Sequence, residues 1–109
     1  MSSVSNFTII ATIRNHSAQG RLNYELASRG APHEFERMDQ NAGGNKVMEH
    51  VVFGLAVDYV PFETVRDAIL SVDWPDPHGV VLAYLGQHDM TFAVYDMPAL
   101  RASAAPSEA

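Results

Sequence analysis

The chain has 109 residues, of which 47% are hydrophobic and 18% are charged. This length suits one domain with a single core, and this composition excludes a chain that is disordered throughout. The absence of cysteine excludes disulfides, thiolate nucleophiles and cysteine-ligated metal sites. No apolar run approaches the roughly 18 residues that a membrane span needs. The N-terminal residues lack the pattern of a secretory signal, and we therefore expect a cytoplasmic protein.

The formal net charge is −6, and it is unevenly distributed along the chain. Residues 1–38 carry four Arg and three Glu, whereas residues 39–109 carry three basic and ten acidic residues. An acidic surface repels nucleic acid and attracts basic protein surfaces. We therefore expect a protein partner, and a basic one in particular. Nucleic-acid binding is a second alternative that would use the arginines of the first part of the chain: Arg14, Arg21, Arg29 and Arg37.

The first half of the chain predicts a strand and then a helix. In Phe7–Ile13 one face holds Phe7, Ile9, Ala11 and Ile13 and the other holds Thr8 and Thr12, which is typical of a strand with one buried face. Ala18–Arg29 contains good helix formers and ends before Gly30, which favours a helix. Alternation within the same segment also fits a strand, so both remain open there.

A short polar strand and a long apolar segment come next. His33–Asp39 predicts an edge strand, and Asn41–Asn45 is a strong loop signal. Val47–Val60 is the most apolar segment, and its alternation favours a central strand. A helical period also fits this segment, and the pattern alone does not decide between them.

The second half predicts a helix followed by a hairpin. Phe62–Trp74 is amphipathic, and the prolines that follow it cannot continue a helix. Val80–Leu85 and Thr91–Asp96 predict two strands of a hairpin. Residues 6–97 are thus expected to form a single α+β domain, flanked by a disordered N-terminus at 1–5 and a disordered tail at 98–109.

The element order is β-α-β-β-α-β with a C-terminal hairpin. In small domains this order favours a ferredoxin-like sandwich, in which two helices cover one face of an antiparallel sheet. Such a sheet has an open face or open edges, which predicts a homodimer.

Two limited resemblances accompany this prediction. Phe7–Arg14 resembles the first strand of dimeric α/β barrels of the antibiotic-biosynthesis-monooxygenase type. The element order is similar to that of a family of small CRISPR-associated proteins, whose aspartate at the end of the first strand is replaced here by Arg14 and Asn15. No residue role is transferred from either family.

No set of residues in the sequence matches a known reactive centre. The five histidines do not show metal-ligand spacing, and no serine lies in a nucleophile motif. We predict no catalytic residue, metal or cofactor, and whether the protein is an enzyme stays open.

Function by contact is therefore the favoured hypothesis: a small acidic regulator or inhibitor that binds another protein stoichiometrically. One specific form is a phage-type anti-defence protein that inhibits a nucleic-acid-handling enzyme. Tryptophan is enriched at binding hot spots, so the predicted partner-binding residues centre on the proline loop and the hairpin: Trp74, Asp73, Asp76, His78 and Asp89. The alternative is a small-molecule-binding or enzymatic α+β barrel whose pocket lies between helices and sheet. Its predicted lining is His50, Phe53, Tyr59, Tyr84 and Tyr95, with His50 as the polar group.

Overall fold

The computed structural model describes residues 4–104, except for the side chain of Asn41. Of the predicted disordered ends at 1–5 and 98–109, residues 1–3 and 105–109 lie outside the described residues, whereas Val4 and Ser5 belong to the first strand. Within the described range the chain forms five β-strands, three α-helices and three short 3-10 helices. The strands are β1 (Val4–Thr12), β2 (Glu36–Arg37), β3 (His50–Asp58), β4 (Val80–Leu85) and β5 (Ala93–Asp96). The α-helices are α1 (Gln19–Ser28), α2 (Phe62–Ser71) and α3 (Met97–Ala104).

The five strands form one sheet in the order β2-β3-β1-β4-β5, and all neighbouring strands are antiparallel. The α+β class with an antiparallel sheet is therefore confirmed. The strand order of this five-stranded sheet differs from that of the four-stranded ferredoxin-like sheet. The longest strands, β1 and β3, pair along their full length from Val4–Asp58 to Thr12–His50.

One face of the sheet supports a single hydrophobic core. A continuous row across four strands consists of Phe53, Ile9, Leu82 and Tyr95, and the first three of these side chains are fully buried. The apolar sides of the helices complete the core with Leu22 and Leu26, Val65 and Ile69, and Leu100. Helix α2 packs between α1 and α3.

Tertiary pairing resolves the two ambiguous segments. Gln19–Ser28 is helical, as the propensities favoured. His50–Asp58 is a strand, because its alternating buried residues face the helices while it pairs with β1 and β2. The predicted strand at His33–Asp39 shortens to Glu36–Arg37.

The C-terminal segment differs from the predicted disordered tail up to residue 104. Residues 97–104 form α3, in which Met97 and Leu100 are buried against the core. The Asp96 carboxylate accepts a hydrogen bond from the Ala99 N–H at 2.9 Å and so caps the helix. The alanine- and serine-rich composition did not indicate this helix, which has only two turns. Its stability comes from burial rather than from helix propensity.

Candidate interaction surface

The tryptophan predicted as a partner anchor belongs to the core. Trp74 is 4% exposed, and its indole N–H donates to the Ile69 carbonyl at 2.9 Å. The ring closes the C-terminal end of α2, so its area is already buried within the chain. The structure therefore leaves Trp74 off the accessible surface.

The other predicted partner-binding residues separate into two groups. Asp73 and His78 are exposed on the loop before β4, and Asp76 is half-buried on the same loop. Asp89 lies in the hairpin after β4, where its carboxylate accepts from the Gly86 N–H at 2.8 Å. Because β4 runs from Val80 to Leu85, the two groups lie at opposite ends of that strand and do not form one site.

The alternative pocket predicted between helices and sheet is not assembled as expected. His50 and Phe53 belong to the same strand, and residues three apart on a strand point to opposite faces. Phe53 is fully buried in the core, while His50 lies half-buried on the other face, opposite Thr12. The space between helices and sheet is filled by core side chains, so His50 cannot be its polar group.

The tyrosines of that prediction lie near one end of the sheet. Tyr84 and Tyr95 are half-buried, with their rings 5.1 Å and 5.3 Å from the Phe62 ring centroid. Tyr59 is 71% exposed and lies in the turn from β3 to α2. The structure thus brings Tyr59 and Tyr84 to one pocket and leaves Phe53 out of it.

Three of the four N-terminal arginines are paired with carboxylates. Arg21 and Arg29 both contact Glu25 on α1, and Arg37 is bound to Asp39. These pairs reduce the positive potential that a phosphate-binding surface needs.

No helix of the described residues covers the second face of the sheet, which we call the open face. Alternation assigns to it the residues that neighbour the buried ones along each strand. Its members are Val4, Asn6, Thr8, Ile10 and Thr12 of β1, Glu36 of β2, His50, Val52, Gly54, Ala56 and Asp58 of β3, Val81, Ala83 and Leu85 of β4, and Val94 and Asp96 of β5. All of them are exposed or half-buried.

The centre of the open face is apolar across three strands. Three successive rows of paired residues cross β3, β1 and β4: Val52–Ile10–Val81, Gly54–Thr8–Ala83 and Ala56–Asn6–Leu85. Only Asn6 and Thr8 in these rows carry a polar side chain. Ile10 is 42% exposed and Val94, beside this centre on β5, is 64% exposed. A mostly apolar and partly exposed patch of this kind, interrupted by Asn6 and Thr8, fits a binding surface.

A methionine extends this patch over its one glycine. The Met38 N–H donates to the Val52 carbonyl at 2.8 Å, and the Met38 sulfur lies where a Cβ on Gly54 would stand. Met38 remains 62% exposed. Methionine is flexible and polarisable, which suits a surface that adapts to a partner.

Carboxylates surround the apolar centre on all four sides. Glu36 lies on the β2 edge and Asp96 on the β5 edge, while Asp58 ends β3. At the other end, Asp76 accepts a hydrogen bond from Thr12 Oγ1 at 2.7 Å. We call these four residues the acidic rim. Among the ion pairs of residues 4–104, none joins an acidic-rim carboxylate to a Lys or Arg.

An ion pair fixes the β2 edge of the open face. Asp39 accepts hydrogen bonds from Arg37 Nε at 2.7 Å and from the Val52 N–H at 3.0 Å, and its side chain is 5% exposed. The hydrogen bonds from Arg37 hold the pKa of the Asp39 carboxyl well below its usual range, and the Val52 N–H acts in the same direction against the effect of burial. The charge of Asp39 thereby offsets that of Arg37, and the pair adds no net charge to this edge.

A buried asparagine fixes the opposite end. Asn15 is fully buried. Its amide donates to the Asp76 carbonyl at 2.9 Å and accepts from the Asp76 N–H at 2.9 Å. This pairing joins the end of β1 to the loop before β4 and places Asp76 on the acidic rim. No local sequence pattern indicates this role of Asn15, because its partner lies 61 residues away in the chain.

The residues that the structure describes contain neither a metal-binding cluster nor a membrane-spanning helix. Within this part of the chain, no three His, Asp or Glu side chains come close enough together to hold a metal ion. Its helices are too short or too polar to cross a bilayer.

Comparisons with known proteins identify no family: no family model, curated protein or solved structure matches the chain. The class of the protein is therefore defined by its own architecture, an antiparallel α+β fold with one covered and one open sheet face.

Proposed function

We propose that this protein acts by stoichiometric contact, as a cytoplasmic regulator or inhibitor that binds a basic protein through the open face. The observation that carries the proposal is an exposed apolar centre enclosed by the acidic rim. Specific interfaces combine an apolar centre with a polar rim. The partner surface that fits is an apolar patch bordered by Lys and Arg.

The size of the open face suits a protein partner. The five strands are spaced by about 4.8 Å and have two to nine residues, so that their average length of about six residues at 3.3 Å rise gives a face of roughly 24 by 20 Å. This area is of the same order as the ~800 Å² that each partner buries in a standard interface.

The charge of the acidic rim favours a different protein over a second copy of this chain. Two copies that met face to face would bring two sets of carboxylates without ion-pair partners close together, and their mutual repulsion opposes association. A partner bordered by Lys and Arg would instead gain attraction at long range and associate faster at low salt.

The test is capture from an extract of the encoding organism, followed by titration with the captured protein. The immobilised chain is compared with its Ile10→Lys variant, which introduces a cation at the centre of the open face. The matched control is Val47→Lys, since Val47 is 90% exposed and lies outside the open face. We expect a basic protein that binds the wild type and the control, does not bind the variant, and dissociates as salt rises.

Three outcomes would contradict the proposal. Equal capture by Ile10→Lys would place binding elsewhere on the surface. Affinity that does not change with salt would remove the role of the acidic rim. Native mass spectrometry that shows a dimer of the wild type, abolished by Ile10→Lys, would identify a second copy as the occupant.

We further infer that β1–β4 with α1 and α2 form a ferredoxin-like core to which β5 and α3 are added. The support is that β2-β3-β1-β4 are neighbours in the sheet, with α1 between β1 and β2 and α2 between β3 and β4. Both connections then join parallel strands and should be right-handed. An experimental structure in which either crossover is left-handed would contradict this inference.

A further inference from the structure

A pocket of about 320 Å³ opens where β3 leads into α2. Its lining comes from three elements: Ser5 of β1, Tyr84 of β4 and the segment 59–62, which contains Tyr59, Val60, Pro61 and Phe62. Three of these six residues are aromatic, and none is a Lys or Arg. The pocket lies beside the open face and does not depend on it.

Core packing fixes two of the aromatic walls. The Phe62 ring lies 6.4 Å from the Phe7 ring and 5.1 Å from the Tyr84 ring, centroid to centroid. Tyr84 in turn lies 5.0 Å from Phe7, which is fully enclosed in the core. These two walls are therefore held before any ligand arrives, which lowers the entropic cost of binding.

The third wall is an exposed ring on an unusual backbone. Among the described residues other than glycine, only Tyr59 has a positive φ, at 60°. This left-handed conformation is unfavourable for a residue other than glycine, because the Cβ crowds the following carbonyl oxygen. Tyr59 lines the pocket with a largely exposed side chain.

Three carboxylates belong to residues next to the segments that line this pocket. Asp58 precedes Tyr59, and Glu63 follows Phe62 in the first turn of α2; both are exposed. A Cβ built on Gly86 would lie 2.8 Å from Asp89 Oδ2 and 3.2 Å from the Tyr84 hydroxyl, so this carboxylate lies near the Tyr84 wall. The ion pairs of the described chain include none of the three acids.

We propose that this pocket binds an organic cation, either a quaternary ammonium or the side chain of an Arg or Lys. The faces of aromatic rings attract cations through their quadrupole, and the surrounding carboxylates raise the local cation concentration. None of the described lining residues carries a positive charge. An anionic ligand would be repelled by the same three carboxylates.

The test uses choline as the free quaternary ammonium and N-acetylarginine amide as the side-chain mimic. Each is titrated into the wild-type protein while backbone amide signals are followed by NMR. The control ligand is the uncharged alcohol in which a tert-butyl group replaces the trimethylammonium group of choline. We expect saturable shifts at Tyr59, Val60 and Phe62, with the uncharged alcohol bound at least about fivefold more weakly than choline.

Two variants locate the binding. Tyr59→Ala should weaken cation binding by roughly 3- to 30-fold, the range of cation–π attraction, and Glu63→Gln by about twofold at low salt. Tyr24→Ala and Glu34→Gln are the matched controls, since both residues are exposed and neither lines the pocket. Both controls should bind as the wild type does.

The two cations distinguish the source of the ligand. Tighter binding of choline would indicate a free quaternary ammonium compound, and tighter binding of the arginine amide would indicate a side chain of a protein. Equal binding of the uncharged alcohol would overturn the proposal, as would the absence of saturation up to roughly 50 mM ligand, where only negligible affinity remains. Shifts confined to residues outside the pocket would overturn it as well.

Discussion

The two faces of the sheet use the same strands for different purposes. Ile9 and Ile10 are neighbours in β1, yet Ile9 is fully buried and Ile10 is 42% exposed. The covered face presents large side chains such as Phe53 and Leu82, whereas the open face presents Gly54 and Ala83 in its central row. The covered face therefore provides stability, while the open face keeps apolar area accessible to a partner.

The separation between the two faces follows from the period of two in a strand. Each residue contributes to one face only, so the open face can be changed without opening a cavity in the core. Substitutions of two neighbouring residues of one strand, one on each face, can thus separate the contribution to folding from the contribution to binding.

The largest expected effect compares Ile9→Ala with Ile10→Ala. Ile9→Ala removes fully buried methyl groups and leaves a cavity, which should lower the free energy of unfolding by about 2–5 kcal/mol. Ile10→Ala should cost less than about 1 kcal/mol, because its side chain is already partly hydrated. Urea unfolding followed by circular dichroism measures both. Similar losses for the two variants would show that the open face is covered in solution.

A second effect concerns the end of the sheet that Asn15 holds. Asn15→Ala removes both hydrogen bonds to the Asp76 backbone and leaves buried polar groups unsatisfied. We expect a loss of about 2–3 kcal/mol in the free energy of unfolding. Asn45→Ala is the control, because Asn45 is exposed and should change stability by less than about 0.5 kcal/mol. A loss below that of a surface substitution would refute the structural role of Asn15.

The third effect depends on pH. Asp39→Asn breaks the ion pair with Arg37 and should cost about 1–2 kcal/mol at pH 7. The lowered pKa of Asp39 means that this stabilisation is complete above the ordinary carboxyl pKa of about 3.9 and is lost as the pH falls through the lower pKa of the folded state. The difference between wild type and variant in urea unfolding should therefore shrink below about pH 4. A difference that grows on acidification would contradict this assignment.

The smallest expected effect concerns Met38, which lies over the open face. In Gly54→Ala the new methyl group takes the place of the Met38 sulfur, and the flexible Met38 side chain can move away. We expect a stability change within about 0.5 kcal/mol, together with a shift of the Met38 methyl signal in NMR. A loss of several kcal/mol would indicate that Met38 is held rigidly against the sheet.

Local sequence patterns predicted the helices and strands well where the apolar residues fitted only one period, either that of a helix or that of a strand. The bounds of β4 match the predicted Val80–Leu85, and α2 begins at Phe62 as its amphipathic spacing indicates. The predicted edge strand shortened, because Asp39 takes the Val52 N–H that a longer β2 would have used. Helix α3 was missed, since its stability comes from the burial of Leu100 against residues distant in sequence.

The candidate surface was only partly predictable. Asp76 was among the predicted partner-binding residues, and the structure places it on the acidic rim through Asn15 and Thr12. The sequence did not indicate that Ile10 and Val52 belong to a binding surface, because an apolar residue on a strand suggests a buried position until its face is known.

The sequence by itself determined the composition, the net negative charge, the absence of cysteine and the α+β class, since these depend on residue counts and on periodicity over a few residues. Only the tertiary structure decided which alternate residues of β1, β3 and β4 are covered, and which carboxylates surround the rest. The physical reason is that a strand pattern defines two faces, but only the packing of the helices decides which of them is removed from water.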